Sequence, residues 1–364
     1  MTSAKPPYRV PSLEEIASVR GTNGYTVVST FSGCGGSCLG FEMEGFKVLW
    51  ASEFNATARR VYEKNHPGVI LDSRDIRDVQ PGEILEQLGC QRGEIDVLEG
   101  SPPCCSFSLA GKREKLWGQK RLYSNSGIRQ RTDDLFFEYI RILEGLRPRV
   151  FIAENVTGLI IGKAKGYFQL ILRAMREFGY AVQAKVLDAQ WLGVPQSRRR
   201  VIFIGSRDGR SITWPKPLTW RYSLREAFDA PMEEGLRKPL SERMAKWWRH
   251  TENGRTLDEG SRAVGDNDSG FTKRRLDWDL PSSTLTCDYL DALHPDIPAS
   301  LTIPEAKRVG SFPDDFRLDG TFIQQYERIS RSVPPLMAMH IARGVESMLK
   351  NLDRSAVREG VQGD

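Results

Sequence analysis

The feature that most constrains this chain is an alternation, running from residue 25 to residue 205, of short apolar β-branched runs with longer stretches of helical period. Tyr25 to Thr30 reads as a strand, Phe31-Ser32-Gly33-Cys34-Gly35-Gly36 as a glycine turn, and the residues after it as a helix. Val48 to Glu53 is a second strand ending on a carboxylate, followed by a helix over Ala56 to Asn65. Ile95 to Leu98, Val150 to Ala153 and Val201 to Ile204 are further strands, with helices over Leu135 to Leu146 and Phe168 to Phe178. This order predicts an α/β chain with a doubly wound, mostly parallel sheet. Ligands of such sheets sit beyond the carboxyl ends of the strands. The glycine turn, Glu53, Asp75, Cys104 and Glu154 all fall there.

With 364 residues the chain can bury a large core and add a second, smaller one. From about Ser206 the pattern changes to Trp-, Arg- and Pro-bearing segments of weak periodicity, expected to be irregular or β-rich. The expected organisation is an N-terminal extension over 1–24, a catalytic cofactor-binding domain over 25–205, a small domain over 206–310, a segment over 311–350 that returns to the first sheet, and a tail over 351–364. No apolar run is long enough to span a bilayer, and no apolar segment follows Lys5, so a cytoplasmic protein with no membrane partner is expected. Six cysteines in a chain of this length make no disulfide framework, and with four histidines they match no zinc spacing, so no metal is expected. The formal charge of +5 is modest, but seven basic residues (Lys112, Arg113, Lys115, Lys120, Arg121, Arg129, Arg131) face three acidic ones between Ala110 and Asp134. A loop of that composition suits a polyanion.

Pro102-Pro103-Cys104-Cys105 ends the third strand. Two prolines restrict the backbone before Cys104, which suits presentation of a nucleophile as well as a stiff loop with a buried structural thiol. The glycine turn lets backbone approach a ligand, although Gly33, Gly35 and Gly36 are too close together for a dinucleotide fingerprint. Glu53 could hold ribose hydroxyls; Asp75 could take an exocyclic amine while a flat ring rests on Ile76. Those groups describe adenosine.

In order, these segments resemble the DNA cytosine-5 methyltransferases over about Val27 to Gly205 and Pro281 to Met348. Phe31-Ser-Gly33-Cys-Gly35-Gly36 resembles the family's cofactor motif, and Glu53 with Phe54, Asp75-Ile76, Pro102 and Leu135 match its other cofactor contacts. Pro102-Pro103-Cys104 matches the nucleophile motif, Glu154-Asn155-Val156 the Glu-Asn-Val motif, and Gln196-Ser-Arg198-Arg-Arg200 the Gln-x-Arg-x-Arg motif. Arg308 to Phe316 and Ser332-Val333-Pro334-Pro335 match the closing motifs. The resemblance implies a Rossmann-like methyltransferase fold with a target-recognition domain, S-adenosyl-L-methionine as cofactor, and double-stranded DNA as partner of a monomer. It implies that Cys104 adds to C6 of a flipped cytosine, with Glu154 at N3, Arg200 at O2 and Arg198 in support. The basic loop would close over the base.

Three positions depart from the family pattern: Cys105 replaces the usual Gln, Gly310-Ser311 the usual Gln-Gly, and Ser330-Arg331 the usual Gly-Asn. By resemblance Arg331 would lie beside the transferred group. Two like charges about 5 Å apart at an effective dielectric near 20 repel by roughly 3 kcal/mol, so a cationic donor asks for a partner to Arg331. One candidate is the carboxylate of carboxy-S-adenosyl-L-methionine, which would make the protein a cytosine carboxymethyltransferase; the plain alternative turns Arg331 toward Glu327 or a phosphate. A tRNA cytosine-5 methyltransferase and an inactive DNA-binding relative are the other readings. Trp247-Trp248 is expected to pack the small domain, and Lys273-Arg274-Arg275 to serve either phosphate or a solvated turn.

Overall fold

Thr26–Thr30 (β1) is β-branched at four of its five positions, and Val27 and Val28 are wholly buried, as in a strand covered on both faces. The computed structural model describes residues 5–103, 121–123, 128–130, 135–161, 164–209, 211–266 and 270–361. Cys104, Cys105 and most of the basic loop lie outside the described residues; within that loop Arg121–Tyr123 and Ile128–Gln130 form an antiparallel pair.

The main sheet adds Lys47–Ser52 (β2), Ile70–Asp72 (β3), Val97–Gly100 (β4), Val150–Val156 (β5), Ala181–Asp188 (β6) and Arg199–Ser206 (β7). Its order is β3-β2-β1-β4-β5-β7-β6, a Rossmann-like arrangement. Strands β3, β2, β1, β4 and β5 run parallel, whereas β7 pairs antiparallel with β5 and sets Arg200 opposite Val156. The order reverses between β1 and β4, so the crevice for a ligand opens beyond their carboxyl ends. β3 is too short to carry a period, and the alternation of β6 is blurred by partial burial along its length. Those two strands went unread in the sequence.

Helices Gly36–Met43 (α1), Ala56–Asn65 (α2), Pro81–Leu88 (α3), Leu135–Leu146 (α4) and Ala164–Glu177 (α5) flank the sheet strands in sequence. α4 buries Leu135, Phe136, Tyr139, Ile142, Leu143 and Leu146, a helical stripe that joins Phe151 and Phe203 of the sheet in one apolar core. The hydroxyl of Tyr139 donates to the carbonyl of Ile152 at 2.9 Å, so its burial leaves no polar group stranded.

The chain divides into two compact units, one of residues 16–187, 199–215 and 338–364, the other of residues 1–15, 188–198 and 216–337. These bounds differ from those expected in three places, each with a local cause. Residues 1–15 join the second unit, where the hydroxyl of Tyr8 donates to the carbonyl of Arg308 at 2.7 Å. Residues 188–198 join it because the Gln196 side chain donates to the carbonyl of Val309 and accepts from the backbone of Leu285, both at 3.2 Å. Residues 311–337 stay there as well, and the return to the sheet unit begins only at Ala338, within the long helix Pro335–Val361. Inside the sheet unit that helix sets Asp353 to accept from the hydroxyl of Tyr25 at 2.6 Å and pairs Arg343 with Glu44 at 2.9 Å.

The second unit is irregular and helical rather than β-rich. Its described strands are Arg274–Arg275 and Ala292–Leu293, two residues each. Trp247 and Trp248 are buried in its apolar cluster, as expected, and their indole N–H groups donate to Asp266 and to the carbonyl of His294. Lys273 pairs with Asp288 at 2.9 Å, Arg274 donates to the carbonyl of Gly254, and Arg275 lies over the Trp248 ring at 3.8 Å. That basic run is spent within its own unit. Among the described residues no helix is long and apolar enough to cross a membrane, and no cluster of metal-binding side chains occurs.

Candidate active site

A shallow cleft opens at the carboxyl ends of the central strands, lined by Phe31, Ser52, Glu53, Phe54, Arg74, Asp75, Ile76, Pro103 and Leu135. Six of the residues expected to hold a cofactor (Phe31, Glu53, Phe54, Asp75, Ile76 and Leu135) share its wall. At the proline pair the lining residue is Pro103; Pro102 instead presents its carbonyl to the side-chain amide of Asn155 at 3.1 Å.

The glycine turn is held from inside the protein. Glu53 is buried at the end of β2, where its carboxylate accepts from the backbone N–H of Gly33 at 2.8 Å and of Asn55 at 2.6 Å. Phe31 adopts a φ of 55°, unusual for a bulky residue, and strain of this kind collects at ligand sites. Gly33 takes a φ of 58°. At Gly35, with a φ of 90°, an added Cβ would stand 1.9 Å from Nε2 of His66. Gly35 is therefore required by an internal imidazole, which the expectation of close approach to a ligand did not contain. Gly36 opens α1 and is buried.

Asp75 caps a short helical turn, accepting from the backbone of Arg77 at 3.1 Å and pairing with its guanidinium at 3.0 Å. Each carboxylate has lone pairs beyond these bonds, so Glu53 can still face a ribose diol and Asp75 an amine. Phe31, Ile76, Pro103 and Leu135 supply apolar wall for a flat ring. The donor set fits the adenosine half of S-adenosylmethionine.

On the neighbouring strands, Nε of Arg200 and Oε1 of Glu154 stand 2.8 Å apart, both about one-sixth exposed. β5 and β7 bring these two together by antiparallel register. Arg198, assigned to the other unit, is buried, and its guanidinium donates to the carbonyls of Ser330 at 2.8 Å and Leu285 at 3.4 Å. Arg198 precedes the first residue of β7 and Arg200 lies within it, and the partners of Arg198 include these carbonyls. Arg331 and Val333 belong to that same unit. Nε of Arg331 donates to Glu327 at 2.7 Å, one helical turn back, and Val333 is buried.

Two functional candidates escaped the sequence reading. Asn155 was visible only as a motif letter, and its amide bond to Pro102 depends on the packing of β5 against β4. Glu99 left one signal, a carboxylate at the end of an apolar strand just before the prolines.

The sequence profile of the family described as C-5 cytosine-specific DNA methylase matches residues 25–347. The chain belongs to this family. Among similar methylases, M.PspPI of a Psychrobacter species, a type II methyltransferase, is 31% identical over 362 residues, covering 92% of this chain and 82% of its own. M.Eco47II of Escherichia coli, also a type II methyltransferase, is 29% identical over 360 residues, covering 91% and 81%. Two solved structures share the fold: a chain described as a DNA modification methyltransferase encoded within an E. coli prophage, at TM-score 0.68 and 21% identity over 90% of this chain and 99% of that one, and a Spodoptera frugiperda DNMT2 mutant, at TM-score 0.61 and 18% identity over 88% and 99%. Membership in the cytosine-5 methylases implies S-adenosylmethionine as donor and DNA as substrate.

Proposed function

We propose that this methylase transfers a methyl group to C5 of cytosine in double-stranded DNA, with Cys104 as nucleophile and ordinary S-adenosylmethionine as donor. The observation that carries the reading is the pairing of Glu154 with Arg200 at 2.8 Å across β5 and β7, with Asn155 of β5 holding the carbonyl of Pro102, two residues before Cys104.

The chemistry asks for these groups together. Cytosine C5 is too weakly nucleophilic to attack a sulfonium, so the Cys104 thiolate first bonds to C6 and moves the C5–C6 π electrons toward C5 and N3. Glu154 donates a proton to N3 and Arg200 a hydrogen bond to O2, where negative charge gathers. S-adenosylmethionine, when bound, supplies an electrophilic methyl group. The bond from carbon to Cys104 breaks once a base has removed the C5 proton, restoring the ring and the thiolate. Cytosine within a duplex is stacked, so the target leaves the helix before it meets Cys104. Phe31, Glu53, Asp75, Ile76 and Leu135 hold the adenosine, and the second unit reads the DNA.

The carboxymethyl reading began from a need to partner Arg331. Glu327 meets that need, at 2.7 Å and within the same helix, which supports the ordinary donor. The test offers S-adenosylmethionine and carboxy-S-adenosylmethionine separately with duplex DNA or tRNA and weighs the modified nucleosides. 5-Methyldeoxycytidine from the first donor alone is expected. 5-Carboxymethyldeoxycytidine, methylation of tRNA in preference to DNA, or no product with either donor overturns the reading.

A further inference from the structure

Beneath the glycine turn lies a carboxyl to which the methyl transfer chemistry assigns no role. Glu99, 3% exposed, is the penultimate residue of strand β4, which ends at Gly100. Its Oε1 accepts from the hydroxyl of Ser29 and, at 3.6 Å, from the thiol of Cys38; its Oε2 accepts from the hydroxyl of Ser37 at 2.9 Å. The Ser29 hydroxyl is in turn 2.7 Å from that of Ser32.

Each partner sits on a segment that matters to the site. Ser29 lies on β1 and is the register partner of Glu99; Ser32 belongs to the glycine turn; Ser37 and Cys38 stand in the first turn of α1. From Glu99 the chain runs through Gly100 and Ser101 to the prolines before Cys104. Gly100 leaves no slack, because an added Cβ would stand 2.4 Å from Oγ1 of Thr30 and 2.9 Å from the Tyr139 ring. Among the described residues the hydrogen-bond partners of Glu99 are hydroxyls and a thiol. Burial pushes its carboxyl above the usual glutamate range, the charge of Glu154 adds to that, and the hydrogen bonds from Ser29, Ser37 and Cys38 oppose it. The environment suits a group that works through hydrogen bonds rather than through charge.

We propose that Glu99 is a positioning residue that ties the donor-binding glycine turn to the strand end presenting Cys104, so that its loss weakens donor binding and turnover together. The claim rests on the methyl transfer reading, and the wild-type protein tests that reading separately: wild type that neither binds S-adenosylmethionine nor methylates DNA sinks the reading itself. The claim about Glu99 is tested by Glu99→Ala, Glu99→Gln and Ser37→Ala in the full chain, with donor Kd from calorimetry, kcat and KM on duplex DNA, and the pH profile of kcat. Glu99→Ala is expected to raise donor Kd about tenfold and lower kcat about tenfold or more, with KM for DNA nearly unchanged, since small misplacements of a reacting group are costly. Glu99→Gln, alike in shape and able to hydrogen-bond the same hydroxyls, is expected to restore both to within about threefold and to leave the pH profile in place. Ser37→Ala is expected to weaken donor binding several-fold. Wild-type Kd and kcat in Glu99→Ala would overturn the claim, as would a Glu99→Gln variant as impaired as the alanine one. A moved pH profile in Glu99→Gln would make Glu99 a proton-transfer group instead. Should Glu99→Ala fail to fold, unchanged donor Kd in Ser37→Ala overturns the claim by itself.

Discussion

Arg331 donates to Glu327 at 2.7 Å across one turn of helix, while the other carboxylate oxygen of Glu327 pairs with Arg328 at 3.1 Å. The cation that looked unpaired in the sequence is partnered by its own element. Arg331→Asn should therefore leave donor affinity and the identity of the product unchanged in calorimetry and nucleoside mass spectrometry. Its stability cost should be small, about 0.5 kcal/mol, because Arg331 is 36% exposed and helix pairs of this spacing are weak. Glu327→Gln should cost more, about 1–3 kcal/mol in urea unfolding, because the buried Glu327 serves two guanidinium groups.

Asn155 holds the proline pair that ends β4 from the neighbouring strand, donating to the carbonyl of Pro102 at 3.1 Å. Asn155→Ala should lower kcat by about 10- to 100-fold through misplacement of Cys104. Affinity for S-adenosylhomocysteine, measured by calorimetry, should stay within about threefold, because the bond reaches the proline pair and leaves Glu53 and Asp75 alone. A loss of donor affinity as large as the loss of kcat would contradict this division of labour.

How much of this was legible in sequence depended on whether a feature is local. Strands β1, β2, β4, β5 and β7 followed from β-branched apolar runs between helices, and Glu53, Asp75 and Ile76 of the cleft from carboxylates and an apolar residue near strand ends, whereas Phe31, Phe54 and Leu135 came from the family resemblance alone. Pairings made across the sheet left no local trace. Arg198 and Arg200 are two letters apart and alike in type, yet one holds carbonyls in the second unit and the other meets Glu154. The compact units divide the chain elsewhere than the expected domains for the same reason, since the bonds that bring 188–198 to 282–330 span about a hundred residues of chain. Glu99 shows the intermediate case: its place on a strand could be read, but the three side chains that make it useful come from 61 to 70 residues away in sequence.

The cradle of the glycine turn makes a stability prediction. Gly35→Ala should destabilise the protein by about 2–5 kcal/mol in chemical denaturation, from a left-handed backbone and from overpacking against His66. His66→Ala in the same chain should recover the overpacking part but not the backbone part. Full additivity of the two single substitutions would contradict the contact.

The raised carboxyl of Glu99 sets a sign for pH dependence. Its folded state holds the proton at a pH where the unfolded chain has lost it, so stability from this group falls as pH rises above the ordinary glutamate range and levels off above the folded value. Glu99→Gln carries no such penalty. The melting temperature of Glu99→Gln relative to wild type should rise between pH 4 and pH 8, measured by calorimetric scans; a constant difference would show that Glu99 is ionised without cost.

The central claim is that Cys104 bonds to C6 of cytosine while the methyl group arrives at C5. Fluorine at C5 cannot leave as a proton does, so duplex DNA carrying 5-fluorocytosine at the target should stall after transfer with Cys104 still attached. Mass spectrometry of the digested complex formed with S-adenosylmethionine is predicted to show one peptide, that of Cys104, carrying a methylated 5-fluorocytosine nucleotide, and none from Cys104→Ala. An adduct on Cys105, or methylated DNA from Cys104→Ala, would contradict the account.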